Sequence, residues 1–194
     1  MNRIQHALLT ACVGLLATTA HALEVEGIRY EENLDVQGHP LLLNGAGTRY
    51  KAIFKVYTAG LYLSRKAATP DAVLGVGGAK RITLTMLREI DAEELGRLFI
   101  KGIKANTSNE EYGRILASVL RMSQVFYDYK RLKVGEVIDI DWIPATGTVI
   151  RVRGKPATEP FKEPEFYAAM LRIWLGQDPA DWQLKEALLG RAAK

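Results

Sequence analysis

The hydrophobic pattern of this chain switches period along its length, and the order of the switches restricts its architecture more than any single motif. Apolar and polar residues alternate in LEVEGIRY (23–30) and KRITLTMLRE (80–89), the signature of half-buried strands. Between them lie a short strand in HPLLLNG that runs into a turn, and a strand or bent pair of strands over 49–63. One short helix interrupts this part, with Thr69 as cap, Pro70 at the first helical position and glycines at the end.

The period then becomes helical. DAEELGRLFIKGIKAN starts on Asp91 with acids in its first turn, and its stripe is Leu95, Leu98, Phe99 and Ile103. SNEEYGRILASVLRMSQVF opens on a capping box, Ser108 with Glu111, and carries Tyr112, Ile115, Leu116 and Val119 on one face. EVIDIDWIP and TVIRVRG return to alternation, joined across ATG as a hairpin whose Asp139 and Asp141 fall on the wet face. Two helices close the chain: EPEFYAAMLRIWLG, ending at Gly176, and DPADWQLKEALLG, with Asp178 capping Pro179. Strands, helices, hairpin and helices in this order predict an α+β domain, with helices gathered on one face of a largely antiparallel sheet.

Residues 1–22 read as an export signal and 23–194 as the domain. Arg3 supplies the basic start, ALLTACVGLLATTA is an apolar core of signal length, and AHA (20–22) places small residues where a signal peptidase reads. The stretch is too short and too interrupted by threonine to span a bilayer, so a periplasmic or secreted location without a transmembrane segment is expected. Cleavage after Ala22 removes the one cysteine, Cys12, together with His6 and His21. His39 is then the last histidine, in the polar turn DVQGHP, so a His/Cys metal cluster is excluded and any Ser-His-Asp device would depend on His39. The +4 net charge comes from basic residues spread along the chain without interleaved aromatics, which argues against a nucleic-acid partner.

GAGTRY (45–50) lacks the third glycine of a dinucleotide fingerprint, precedes a strand and has no G-K-[ST] ending. NGAGTR (44–49) followed by FKVYTAGLYLS (54–64) instead resembles the glycine turn and following strand of the chalcone isomerase family. The match is nearest to its exported bacterial members. The resemblance implies an open-faced sandwich, a large antiparallel sheet under a layer of helices with an apolar cleft between them. In the plant enzymes the arginine of this motif steadies a phenolate and an enolate during ring closure, and Arg49 occupies that position.

By the same matching the family's catalytic threonine falls on Tyr57. The spacing from the arginine is shorter by an even number of residues, so one unbroken strand would keep Arg49 and Tyr57 on the same face. The remaining polar partners fall on Leu95, Gly102 and Ile173, none with a polar side chain, and Asn106 is the nearest substitute. The resemblance thus implies a non-catalytic protein that holds an apolar carboxylate, a fatty acid or haem, with Arg49, Tyr57 and Asn106 as its polar contacts. No cofactor is required. His39, as an axial haem ligand, is the weaker reading beside simple exposure. The alternative is an intramolecular lyase or isomerase acting on an apolar enone or phenol, with Arg49 and Tyr57 as catalytic groups. Lys51 and Lys55 read as solvated, and Trp142, Trp174 and Trp182 as core or cleft aromatics.

Overall fold

The computed structural model describes residues 22–191, so the proposed export signal, with Cys12, lies outside the described residues apart from Ala22. Its centre is a seven-stranded antiparallel sheet. The chain first makes the hairpin β1 (Ala22–Val25) and β2 (Ile28–Glu31), not the single strand expected over 23–30, because it reverses at Glu26 and Gly27, both at positive φ. It then enters the sheet through β3 (Asn33–Val36), β4 (His39–Lys51) and β5 (Phe54–Leu63). After α1 (Pro70–Gly75) comes β6 (Lys80–Met86), then the short β7 (Ile90–Asp91), α2 (Ala92–Ala105) and α3 (Asn109–Tyr129). β8 (Arg131–Leu132) pairs with β7. β9 (Val137–Ile143), β10 (Gly147–Val152) and β11 (Lys155–Pro156) complete the sheet, followed by α4 (Pro164–Leu175) and α5 (Trp182–Leu188). The order across the sheet is β11-β10-β9-β6-β5-β4-β3.

The expected α+β architecture is present, and its helix starts follow local chemistry. The Thr69 side chain accepts from Ala72 N ahead of Pro70, the Asp91 carboxylate from Glu93 and Glu94 N, and the Ser108 hydroxyl from Glu111 N. Glu111 does not close the capping box. Its carboxylate pairs with Arg172 of α4 at 2.5 Å, which ties α3 to α4. The last helix starts later than expected: Asp181, not Asp178, accepts from Leu184 N at 2.9 Å, because Asp178 is held in the preceding loop by Asn106.

The main core lies between the sheet and the helices. Ile82, Leu84 and Met86 of β6, Ile138 and Ile140 of β9 and Ile150 of β10 meet Phe99 and Ile103 of α2, Met122 of α3 and Phe166 and Met170 of α4. Leu116, expected on the buried stripe of α3, instead faces solvent. The opposite face holds a smaller cluster under the β1–β2 hairpin, where Tyr30 packs over Gly60. Further along that face Asp141 is fully buried rather than wet. Arg81 grips it through two bonds, at 2.5 and 2.7 Å, and Arg151 reaches it from the neighbouring strand. Strand alternation alone showed only that Asp141 pointed away from the helices. The two arginines that cover it come from β6 and β10.

The glycine motif NGAG is not a turn. Residues 44–47 lie inside β4, and the chain reverses later, at Ala52 and Ile53, where Ala52 adopts φ 53°. The glycines are there because the end of α5 packs directly on the strand. A Cβ on Gly45 would overlap the Ala187 carbonyl oxygen, and one on Gly47 would stand 2.6 Å from the Ala187 Cβ. Asn44 fastens the same contact. Its amide donates to Ala67 O (2.9 Å) and Leu188 O (2.7 Å) and accepts from Ala67 N (2.7 Å).

Candidate functional site

Arg49 and Tyr57 are brought together across a hairpin. They are directly opposed partners in the β4–β5 ladder, so they share a face by cross-strand pairing and not by alternation along one strand. The register shifts just beyond this pair, where Tyr50 opposes Lys55 and Val56 is left over as a bulge. The bulge turns Val56 and Tyr57 both into the helix-side core. The Arg49 guanidinium carbon stands 5.4 Å from the centre of the Tyr57 ring.

Arg49 is buried, with 8% of its surface exposed, and it forms no ion pair among the described residues. Its Nε is fully enclosed without a partner. The nearby Asp181 carboxylate is spent on backbone donors, Tyr50 N at 2.8 Å and Leu184 N at 2.9 Å. An enclosed guanidinium nitrogen with no hydrogen-bond partner and no carboxylate in contact is costly, and the face of the Tyr57 ring offsets only part of that cost.

Tyr57 is 2% exposed, and its hydroxyl accepts a 2.8 Å bond from Trp174 Nε1 of α4. Burial pushes the phenol above its ordinary pKa, while the Arg49 charge and the indole bond pull the other way without reversing the shift. The hydroxyl therefore stays protonated near neutral pH, with its proton available to an acceptor.

Both side chains open into a cavity between sheet and helices, with about 950 Å³ of space between the atoms, its open mouth included. Leu84, Ile138 and Ile140 form its floor; Leu95, Leu98, Phe99 and Gly102 of α2, Met122 and Phe126 of α3, and Ile173 and Trp174 of α4 form its walls. Lys101, Asp178, Pro179 and Ala180 also border it. Leu95, Gly102 and Ile173, the positions matched to the missing polar partners, thus all face the cavity and add no polar side chain to it. Phe99 and Phe126 pack at 5.5 Å between ring centres and stiffen the helix wall. The close contact of α2 with α4 depends on Gly102, where a Cβ would stand 3.0 Å from Ile173 Cγ2.

Asn106 does not join the site. It ends α2, and its side chain is committed to backbone groups: Gly102 O (2.9 Å), Asp178 O (2.8 Å) and Asp178 N (2.9 Å). It borders a separate surface groove. His39, at the start of β4, is not among the cavity residues. Trp174, read from the sequence as one of three core or cleft aromatics, is the one that touches the polar pair. Nothing local to WLG distinguished it, since its partner is Tyr57, far away in the chain.

The family model described as chalcone isomerase-like matches residues 22–190. A crystal structure of an Arabidopsis thaliana fatty-acid binding protein superimposes with a TM-score of 0.65 at 15% identity, covering 87% of this chain and 96% of that one. No curated protein sequence matches the chain.

Proposed function

Because the chain belongs to the chalcone isomerase-like family, we propose that it is a non-catalytic member that binds a long-chain carboxylate, with Arg49 as the counter-charge. The observation that carries this reading is the buried guanidinium, free of any ion pair among the described residues and with its Nε unpartnered, in a cavity lined mainly by apolar side chains. An anionic head would supply the missing charge, Tyr57 would add a hydroxyl donor, and the aliphatic walls suit a chain of methylenes. That a protein of the same fold is described as fatty-acid binding supports the ligand class by analogy.

Haem suits the cavity less well. Its border holds no histidine or cysteine, and the Tyr57 oxygen is already engaged by Trp174. The lyase reading needs several fixed donors around the reacting centre, and Leu95, Gly102 and Ile173 supply none. The basic start, apolar core and AHA of residues 1–22 support an export signal, so we also propose that the protein acts outside the cytoplasm after their removal. N-terminal sequencing of the exported protein should begin at Leu23, and an intact Met1 or a start at Cys12 would refute it.

Titration of the purified protein with palmitate or oleate, followed by tryptophan fluorescence and calorimetry, tests the ligand. Arg49→Ala should weaken binding by roughly 10- to 150-fold, the worth of a charge-assisted bond of about 1.5–3 kcal/mol. Arg49→Lys should restore part of it, since a point charge does not reproduce the guanidinium fork. Absence of binding by the unmodified protein, or equal binding by the alanine variant, overturns the proposal.

A further inference from the structure

The β4–β5 turn exposes two large apolar side chains where a polar or glycine residue is usual. Ile53 leaves 84% of its surface in water and Phe54 leaves 56%. They add little to folding and stand out from a well-packed domain as a small apolar tip. Cations bracket the tip. Lys51 and Lys55 flank it on the two strands, and the Arg88 guanidinium lies 5.4 Å from the centre of the Phe54 ring. Glu94 pairs with Lys51 at 2.8 Å and Glu26 with Lys55 at 2.6 Å, so Arg88, held against Phe54, is the cation that leaves the tip with a positive surplus. The tip is also close along the chain to residues that line the cavity. Arg49 lies two residues before Lys51, and Glu94 starts the stretch of α2 that brings Leu98 and Lys101 to the cavity rim.

We propose that this tip docks on an anionic lipid bilayer, with Ile53 and Phe54 inserted into the headgroup boundary and the surrounding cations on lipid phosphates. Adjacent apolar side chains within a basic collar are the arrangement that combines burial in the interface with attraction to negative lipid. A protein partner would have to present a matching apolar socket rimmed by acids, whereas a bilayer supplies both everywhere. Docking would bring the Arg49 end of β4 toward the membrane surface, where long-chain carboxylates reside. That last step rests on the proposed ligand; the docking itself rests on the tip alone.

Co-sedimentation of the protein, purified after expression of the full sequence, tests this. Vesicles of phosphatidylethanolamine with phosphatidylglycerol are compared with vesicles of phosphatidylcholine alone. Binding should favour the anionic vesicles and fall with added salt. Ile53→Ser with Phe54→Ser should lower partitioning roughly 10- to 100-fold, and Arg88→Gln about fivefold, while palmitate binding in vesicle-free buffer stays as in the unmodified protein. Equal sedimentation of the double variant overturns docking at the tip, as does absence of binding to anionic vesicles. So does a concentration-dependent dimer in vesicle-free solution that the double variant abolishes, because the tip would then serve a second copy. Failure of both proteins to bind palmitate, with the vesicle pattern intact, refutes the ligand and leaves the docking standing.

Discussion

Arg49 is the residue at which folding and binding pull apart. A buried guanidinium with an unpartnered Nε destabilises the ligand-free protein, and its 5.4 Å contact with the Tyr57 ring returns only about 0.5–2 kcal/mol. Replacing it with an apolar side chain of similar length removes the stranded charge. Arg49→Met should therefore raise the unfolding free energy of the ligand-free protein by about 1–2 kcal/mol, equivalent to a few degrees in thermal midpoint for a chain of this size, although the same change weakens ligand binding. Urea denaturation with and without palmitate measures both effects. A loss of more than about 1 kcal/mol in the ligand-free protein would mean that Arg49 holds the hairpin together, and its place in the motif would be structural.

The elements explain the rest of that motif. β4 must let the end of α5 approach to backbone contact, so Gly45 and Gly47 are demanded by packing, and Asn44 secures the junction by bonding both neighbouring segments. Gly45→Ala would force α5 off the strand and should cost at least ~2 kcal/mol. Gly113 is the contrasting case. It sits inside α3 with nothing within 4 Å of an added Cβ, so Gly113→Ala should stabilise by about 0.5–1 kcal/mol through helix propensity. Thermal melts of the two variants should move in opposite directions. A neutral Gly45→Ala would show that the α5 contact is looser than the structure has it.

At the scale of the whole molecule, the sheet buries tyrosines on both faces, and this sets its response to alkali. Burial raises the phenols of Tyr30, Tyr57 and Tyr167, and that of Tyr62 to about 12. In the unfolded chain each ionises near pH 10. A raised folded-state value means that the native state keeps protons the unfolded state has lost. Below pH 10 the two states bind these protons alike and stability is unaffected; above it stability falls. The slope per tyrosine is about 1.4 kcal/mol per pH unit, and Tyr62 stops contributing to it near pH 12. The urea midpoint should thus hold steady up to pH 10 and then drop steeply, less so in Tyr62→Phe. A flat profile through pH 12 would show that these phenols are solvated. No helix among the described residues is long and apolar enough to cross a membrane.

The order of the helices and of the longer strands was legible in the sequence because it depends on short-range quantities, although the hairpin over 22–31 read as one strand. Period-two and period-3.6 patterns, the caps at Thr69, Asp91 and Ser108, and the hairpin across ATG each act within a few residues. The motif around Arg49 also pointed to the family and to the arginine itself. Pairings between distant segments were not legible. The cross-strand opposition of Arg49 and Tyr57, the Trp174 bond to the Tyr57 hydroxyl and the diversion of Asn106 into the Asp178 loop all join separate elements. Likewise the glycines of NGAG look like a turn to any local reading, since a turn and a close helix approach both call for a missing Cβ. Only the position of α5 separates the two. Local patterning determined which segments became strands and helices, whereas the packing of those segments decided that Arg49 would be left buried, with its Nε unpartnered, in a mainly apolar cavity, because whether a charge finds a partner depends on which surfaces meet.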